Sequence, residues 1–158
     1  MKKLLIPLAA LALALLAACG GQDPAPAGYD PETTAQALLD SGAFSQELSR
    51  LDADLVSAYL GLESEPEAAA VYTSLEGGYE ELVIVTMADE EAAAAAKTAV
   101  EAHLTAQTET ETEVQYKPED LPKLQSAVVR QAGSTVVLVV AADYDAVAAV
   151  LDGESAAG

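Results

Sequence analysis

Thr135-Val136-Val137-Leu138-Val139-Val140-Ala141 decides the fold. The run is too short for a buried helix and is rich in β-branched side chains, so it predicts a strand. Successive side chains in a strand point to opposite faces, so Val136 to Val140 is apolar on both. Among the predicted strands it alone is assigned that property, which makes it the candidate for a central position. Working outward, Ala127 to Gln131 precedes it across Ala132-Gly133-Ser134, and the two segments predict a β-hairpin.

A second hairpin lies upstream. Ala68 to Leu75 alternates Val71, Thr73 and Leu75 against Tyr72 and Ser74, while Tyr79 to Met87 contains the dense run Leu82-Val83-Ile84-Val85-Thr86-Met87. Gly77-Gly78 stands between them and supplies the positive φ values of a tight turn.

Helices are predicted around and between the hairpins. Asp89 can cap a helix whose first turn carries Glu90 and Glu91, with Ala93, Ala96, Val100 and Leu104 as the buried stripe. The alternating Thr108 to Glu113 fits an exposed strand or a helix extension equally. Pro118 and Pro122 confine Glu119 to Leu121 to a turn or a single helical turn. Asp143 can cap a last helix with Val147, Val150 and Leu151 inward. At the N-terminal side, Asp30-Pro31-Glu32 starts a helix bearing Ala35, Leu38 and Leu39. A second helix is predicted from Ser45, where Phe44 can staple against Leu48 and the spacing continues through Leu51, Leu55 and Tyr59, with Ser49 to Ala53 a break point. The expected architecture is α+β: N-terminal helices followed by β-β-α-β-β-α, with a four-stranded, mainly antiparallel sheet and helices packed on one face.

The first residues have another purpose. Lys2 and Lys3 precede an apolar run from Leu4 to Ala18, the layout of an export signal. Its roughly fifteen residues fall short of the roughly 18 needed to cross a bilayer core. Leu16-Ala17-Ala18-Cys19-Gly20 resembles the lipobox of bacterial lipoproteins. That resemblance implies diacylglycerol on the Cys19 sulfur and cleavage that leaves Cys19 at the mature N-terminus, with several acyl chains as the membrane anchor. The expected divisions are a signal peptide at 1–18, a lipid-attached cysteine and flexible tether at 19–29, one acidic domain at 30–152 and a disordered tail at 153–158. The expected location is the extracytoplasmic face of the cell membrane.

Seven basic residues face 26 acidic ones, for a net charge of −19. Loss of Lys2 and Lys3 with the signal deepens the imbalance. Nucleic acid and anionic lipid headgroups are repelled by such a surface. A cationic ligand or an envelope protein is the expected partner class. Cys19 is the sole cysteine, so no disulfide staples the domain, and its stability rests on an apolar core.

From Ala35 to Leu151 the chain resembles the bacterial lipoprotein family called domain of unknown function 4358. The likeness rests on Leu48 and Leu51, Tyr59-Leu60-Gly61, the strand around Tyr72, Asp89-Glu90-Glu91-Ala92, Tyr116 with Pro118, Lys123-Leu124, Ala127-Val128-Val129 and Gly133. Ser126 stands where an asparagine is expected, and the chain is rich in alanine for the family. The resemblance implies an exported, lipid-anchored domain and carries no catalytic or binding residue with it.

The residues themselves point to no cofactor, metal or catalytic group. His103 is the only histidine and falls near the edge of its helix's apolar stripe, whereas transition-metal sites need clusters of His or Cys. Glu109, Glu111 and Glu113 would share one face of a strand without the turn that converges calcium ligands, and Glu63, Glu65 and Glu67 fit a solvated loop. Tyr72, Tyr79 and Tyr116 are the candidate recognition surface, since tyrosine joins rigid apolar area to a polar tip. The leading expectation is a noncatalytic binding or accessory module; a structural component of the envelope and an envelope hydrolase are the alternatives.

Overall fold

A computed structural model describes residues 28–155. The expected signal peptide, Cys19 and the tether as far as Ala27 lie outside the described residues. Ten elements follow one another: α1 (Pro31–Asp40), β1 (Leu48–Arg50), α2 (Val56–Leu60), β2 (Ala68–Ser74), β3 (Glu81–Thr86), α3 (Glu90–Val114), α4 (Leu121–Gln125), β4 (Val128–Ala132), β5 (Thr135–Val140) and α5 (Tyr144–Ser155). Short 3-10 turns at Ala53–Leu55 and Pro118–Asp120 lead into α2 and α4.

The predicted caps form as their chemistry requires. The Asp30 carboxylate accepts the Thr33 N–H at 2.8 Å and Asp89 accepts that of Ala92 at 2.8 Å. Asp143 accepts from Asp145 and Ala146 at the start of α5. Each satisfies an N–H that the first helical turn leaves without an intrahelical partner.

Both hairpins form, and β3 joins them by pairing with β5, Val83 opposite Leu138. The sheet nevertheless has five strands, in the order β1-β2-β3-β5-β4, rather than the four expected. All four pairings are antiparallel. The added strand is Leu48-Ser49-Arg50, which pairs with Ser74, Thr73 and Tyr72 of β2. It replaces the helix predicted from Ser45. The i, i+4 apolar spacing there imitates a helix, but pairing with the free edge of β2 outweighs the local pattern. Helix resumes only at Ala53.

Helices cover both faces of the sheet, not one. On one face Val83, Val85, Val136 and Leu138 pack with Val56 and Leu60 of α2, Ala93, Ala96 and Val100 of α3, and Leu124 of α4. On the other, Leu82, Ile84, Val137 and Val139 pack with Ala35 and Leu38 of α1 and Val147 and Leu151 of α5. The reason is visible in β3, whose residues Leu82 to Val85 are all buried, as are Val136 to Val140 of β5. Two adjacent strands are apolar on both sides, and β3 rather than β5 occupies the middle of the sheet.

The ends differ from expectation too. Tyr29, read as the last tether residue, is buried against the α1–α5 face. α5 continues through Gly153 to Ser155, so the first three residues of the expected tail are helical; positions 156–158 lie outside the described residues. Thr108 to Glu113, left open between strand and helix, is helical within α3. No helix among the described residues is long and apolar enough to cross a membrane.

Cover on both faces has a measurable consequence. Ile84→Ala and Leu138→Ala, one toward each helical layer, are each expected to cost about 2–5 kcal/mol in urea unfolding. A sheet covered on one face only would make one of the two inexpensive.

Candidate functional site

An open concavity lies beside the start of α3. Leu62, Glu63 and Ser64 follow α2, whose end is turned by Gly61 at φ 68°. They face Met87 and Asp89 from the segment after β3 and Glu91, Ala92, Ala95 and Ala96 from α3, enclosing an open groove of about 400 Å³. The alanine run creates it, because one methyl group per position leaves room that longer side chains would fill. Met87 and Ala96 are buried and form the floor with the partly buried Leu62 and Ala92, whereas Glu63, Asp89 and Glu91 are exposed around the rim. The groove sits at the end of the sheet where the described chain begins. Gly28 there lies so close to Thr135 that a Cβ would come within 2.7 Å of its hydroxyl, and Thr135 pairs with Thr86, next to Met87.

Two polar clusters occupy other parts of the domain. In the first, Tyr59 of α2 donates to Glu81 of β3 at 2.8 Å, and His103 Nε2 of α3 lies 3.2 and 3.3 Å from the two oxygens of the same carboxylate. The Tyr59 and His103 rings are 4.7 Å apart, centroid to centroid. Burial, and then the Glu81 carboxylate, push the Tyr59 phenol well above its usual pKa, so it stays a donor. Glu81 is buried, and the trio ties two helices to the central strand. His103 therefore lies at the edge of the stripe, as its position predicts, with an acid as its partner.

The second cluster surrounds Glu80. Its carboxylate accepts from the Ser45 N–H and hydroxyl at 2.8 and 2.6 Å and from the Gln46 N–H at 3.0 Å, while Lys123 Nζ lies 2.7 Å away. Lys123 also meets Asp120 at 2.7 Å, and Asp120 accepts from the Tyr79 N–H at 2.9 Å and from the Gln46 amide. Burial opposes both charges, but Lys123 and these donors outweigh it and hold the carboxyls of Glu80 and Asp120 below their usual values. Burial likewise opposes the ammonium of Lys123, and the two acids raise its pKa nonetheless. Every partner is part of the fold. The cluster binds the loop before β1, the start of β3 and α4 together.

A family model described as domain of unknown function (DUF4358) matches residues 40–141, most of the chain. The chain belongs to this family. The match spans β1 to β5, with α3 and both polar clusters, and leaves most of α1 and all of α5 outside. No curated protein and no solved structure matches the chain.

Within the DUF4358 domain the three tyrosines do not share one surface. Tyr72 packs toward the α1–α5 face, with the Arg50 guanidinium 5.9 Å from its ring centroid. Tyr79 packs toward the α3 face, where burial and then Glu111 raise its phenol's pKa. Tyr116 is 69% exposed in the loop after α3. Glu111, in the segment left open between an exposed strand and a helix extension, is buried in the helix and accepts the Lys117 N–H at 2.8 Å, so it closes the turn that follows. Among the described residues no group of three His, Cys, Asp or Glu is placed to hold a metal ion. The groove residues were hidden in sequence by their separation: Glu63 fits a solvated loop until α3 is packed beside it. The run of alanines from Ala92 to Ala96 was the available signal, since it marks a helix with little side-chain volume.

The Glu80 cluster sets a pH dependence. Carboxyls with lowered pKa contribute stability above their unfolded values of about 4 and lose it as pH falls through the folded ones; a raised lysine contributes below about 10.4 and loses it above. Wild-type stability from this cluster is therefore expected to be level between about pH 5 and 10. Lys123→Met leaves two buried acids without their cation, costing about 3 kcal/mol at neutral pH. Burial then dominates and raises both carboxyl pKa values, so this variant gains stability from pH 7 to 5. Urea unfolding across that range measures the reversal.

Proposed function

We propose that this chain is a lipid-anchored protein of the extracytoplasmic face of a bacterial membrane, and that its DUF4358 domain is a noncatalytic binding or accessory module. The anchor rests on Leu16-Ala17-Ala18-Cys19-Gly20 at the end of an export signal. With acyl chains on Cys19, the segment from there to Gly28 reaches at most about 30 Å, which keeps the domain close to the membrane surface. The observation that carries the binding reading is the groove: it is an open, apolar-floored concavity, whereas His103, Glu81, Glu80, Asp120 and Lys123 are engaged with one another or with neighbouring groups. A hydrolase would need a base within reach of a nucleophile; the groups on His103 are a carboxylate and a phenol.

Cys19→Ala is expected to abolish incorporation of labelled fatty acid and to block processing of the precursor; unchanged labelling and processing would refute the anchor. For the module, crosslinking in intact envelopes followed by mass spectrometry is expected to recover a small set of envelope proteins. Recovery of no protein, peptide or wall fragment would refute the binding reading.

A further inference from the structure

The groove at the start of α3 has dimensions and charge that select among occupants. Its volume of about 400 Å³ falls near the small end of ligand sites, which run from about 300 to 1,000 Å³. That suits one extended side chain with its flanking backbone better than a large cofactor. The floor offers no polar anchor: Met87, Leu62, Ala92 and Ala96 present methyl, thioether and methylene groups.

The rim decides the sign. A helix N-terminus carries about half a positive charge and by itself favours an anion. Glu63, Asp89 and Glu91 together bring three carboxylates to the same opening, and no lysine or arginine lines it. Asp89 spends one oxygen on the Ala92 N–H, which also takes up part of the helix's positive end. The opening is therefore net negative, on a chain whose 26 acids already outnumber its seven basic residues. Anionic headgroups, phosphates and nucleic acid are repelled there. A bare cation would find few oxygens over an apolar floor. An ammonium on an aliphatic stem satisfies both halves of the groove at once, the methylenes on the floor and the charge at the rim.

Resting on the binding-module reading above, we propose that this groove holds the lysine side chain of a peptide segment presented by an envelope protein. The stem lies along Met87, Leu62 and Ala92, and the ammonium sits among Glu63, Asp89 and Glu91.

The test uses the full-length chain in detergent and a fluorescent, end-capped peptide with one central lysine flanked by leucine and glycine. The control is the same peptide acetylated on the lysine, which keeps the stem and removes the charge. The wild-type chain is expected to bind the first at least tenfold more tightly than the second. Glu63→Gln and Glu91→Gln are each expected to weaken binding about threefold, the size of an exposed ion pair. Ala95→Leu adds bulk to an exposed wall of the groove, keeps the charge and suits a helix; it is expected to abolish binding, with thermal unfolding confirming an intact fold. Ser64→Leu blocks the opposite wall and serves as the independent steric variant. Absence of wild-type binding, equal binding of the acetylated peptide, or wild-type affinity in both leucine variants would each overturn the assignment, the last because it would show attraction by diffuse charge alone. Envelope crosslinking of Ala95→Leu separates this proposal from the reading it rests on. Loss of crosslinked partners together with peptide binding supports both, whereas retained partners overturn the groove assignment and leave the binding module standing.

Discussion

The structure depends on two neighbouring strands that are apolar on both sides. Every residue from Leu82 to Val85 and from Val136 to Val140 is buried, and β3 and β5 lie side by side. Exposing either face would leave a row of valine, isoleucine and leucine side chains in water, at about 1.5–3 kcal/mol for each. One helical layer cannot cover two faces. The chain therefore sends α1 and α5 to one side and α2, α3 and α4 to the other. With no disulfide available to the described domain, this double burial is the main source of its stability.

Burial on both sides creates a difficulty where β3 begins. Glu80 and Glu81 are successive and both buried. A buried carboxylate without partners is costly, so each is met separately: Glu80 by Lys123, Ser45 and the Gln46 N–H, Glu81 by Tyr59 and His103. Those partners come from α2, α3, α4 and the loop before β1. The two acids thereby bind the outer elements to the central strand at one end of the sheet. Gly78 belongs to the same arrangement, because a Cβ there would collide with the Gln46 amide at 2.1 Å, and that amide donates to Asp120.

Glu80, Glu81, His103, Asp120 and Lys123 are thus paired with one another within the fold. At the opposite end of the sheet, where the described residues begin at Gly28, the alanines of α3 leave the groove unfilled, and acids surround it without internal cations. One end of the domain is consolidated by paired charge and the other is open.

Much of this was legible in the chain. Short β-branched runs, Gly77 and Gly133 between them, and Asp30, Asp89 and Asp143 before helices state their local conformations, because strand alternation, positive φ and capping depend on near neighbours. Leu48 to Arg50 misled, since three residues without β-branching form a strand only when β2 offers an edge. The second helical layer was legible in principle from Leu82 to Val85, whose apolar character on both faces equals that of Val136 to Val140. What the sequence by itself determined is the set of hairpins, the capped helices, the acidic charge and the motif around Cys19, all of them consequences of residues within a few positions of one another. Tertiary structure alone decided which acids are buried with partners and which rim a groove, because Glu81 and His103, or Glu63 and Ala95, acquire their meaning only when distant segments are packed side by side.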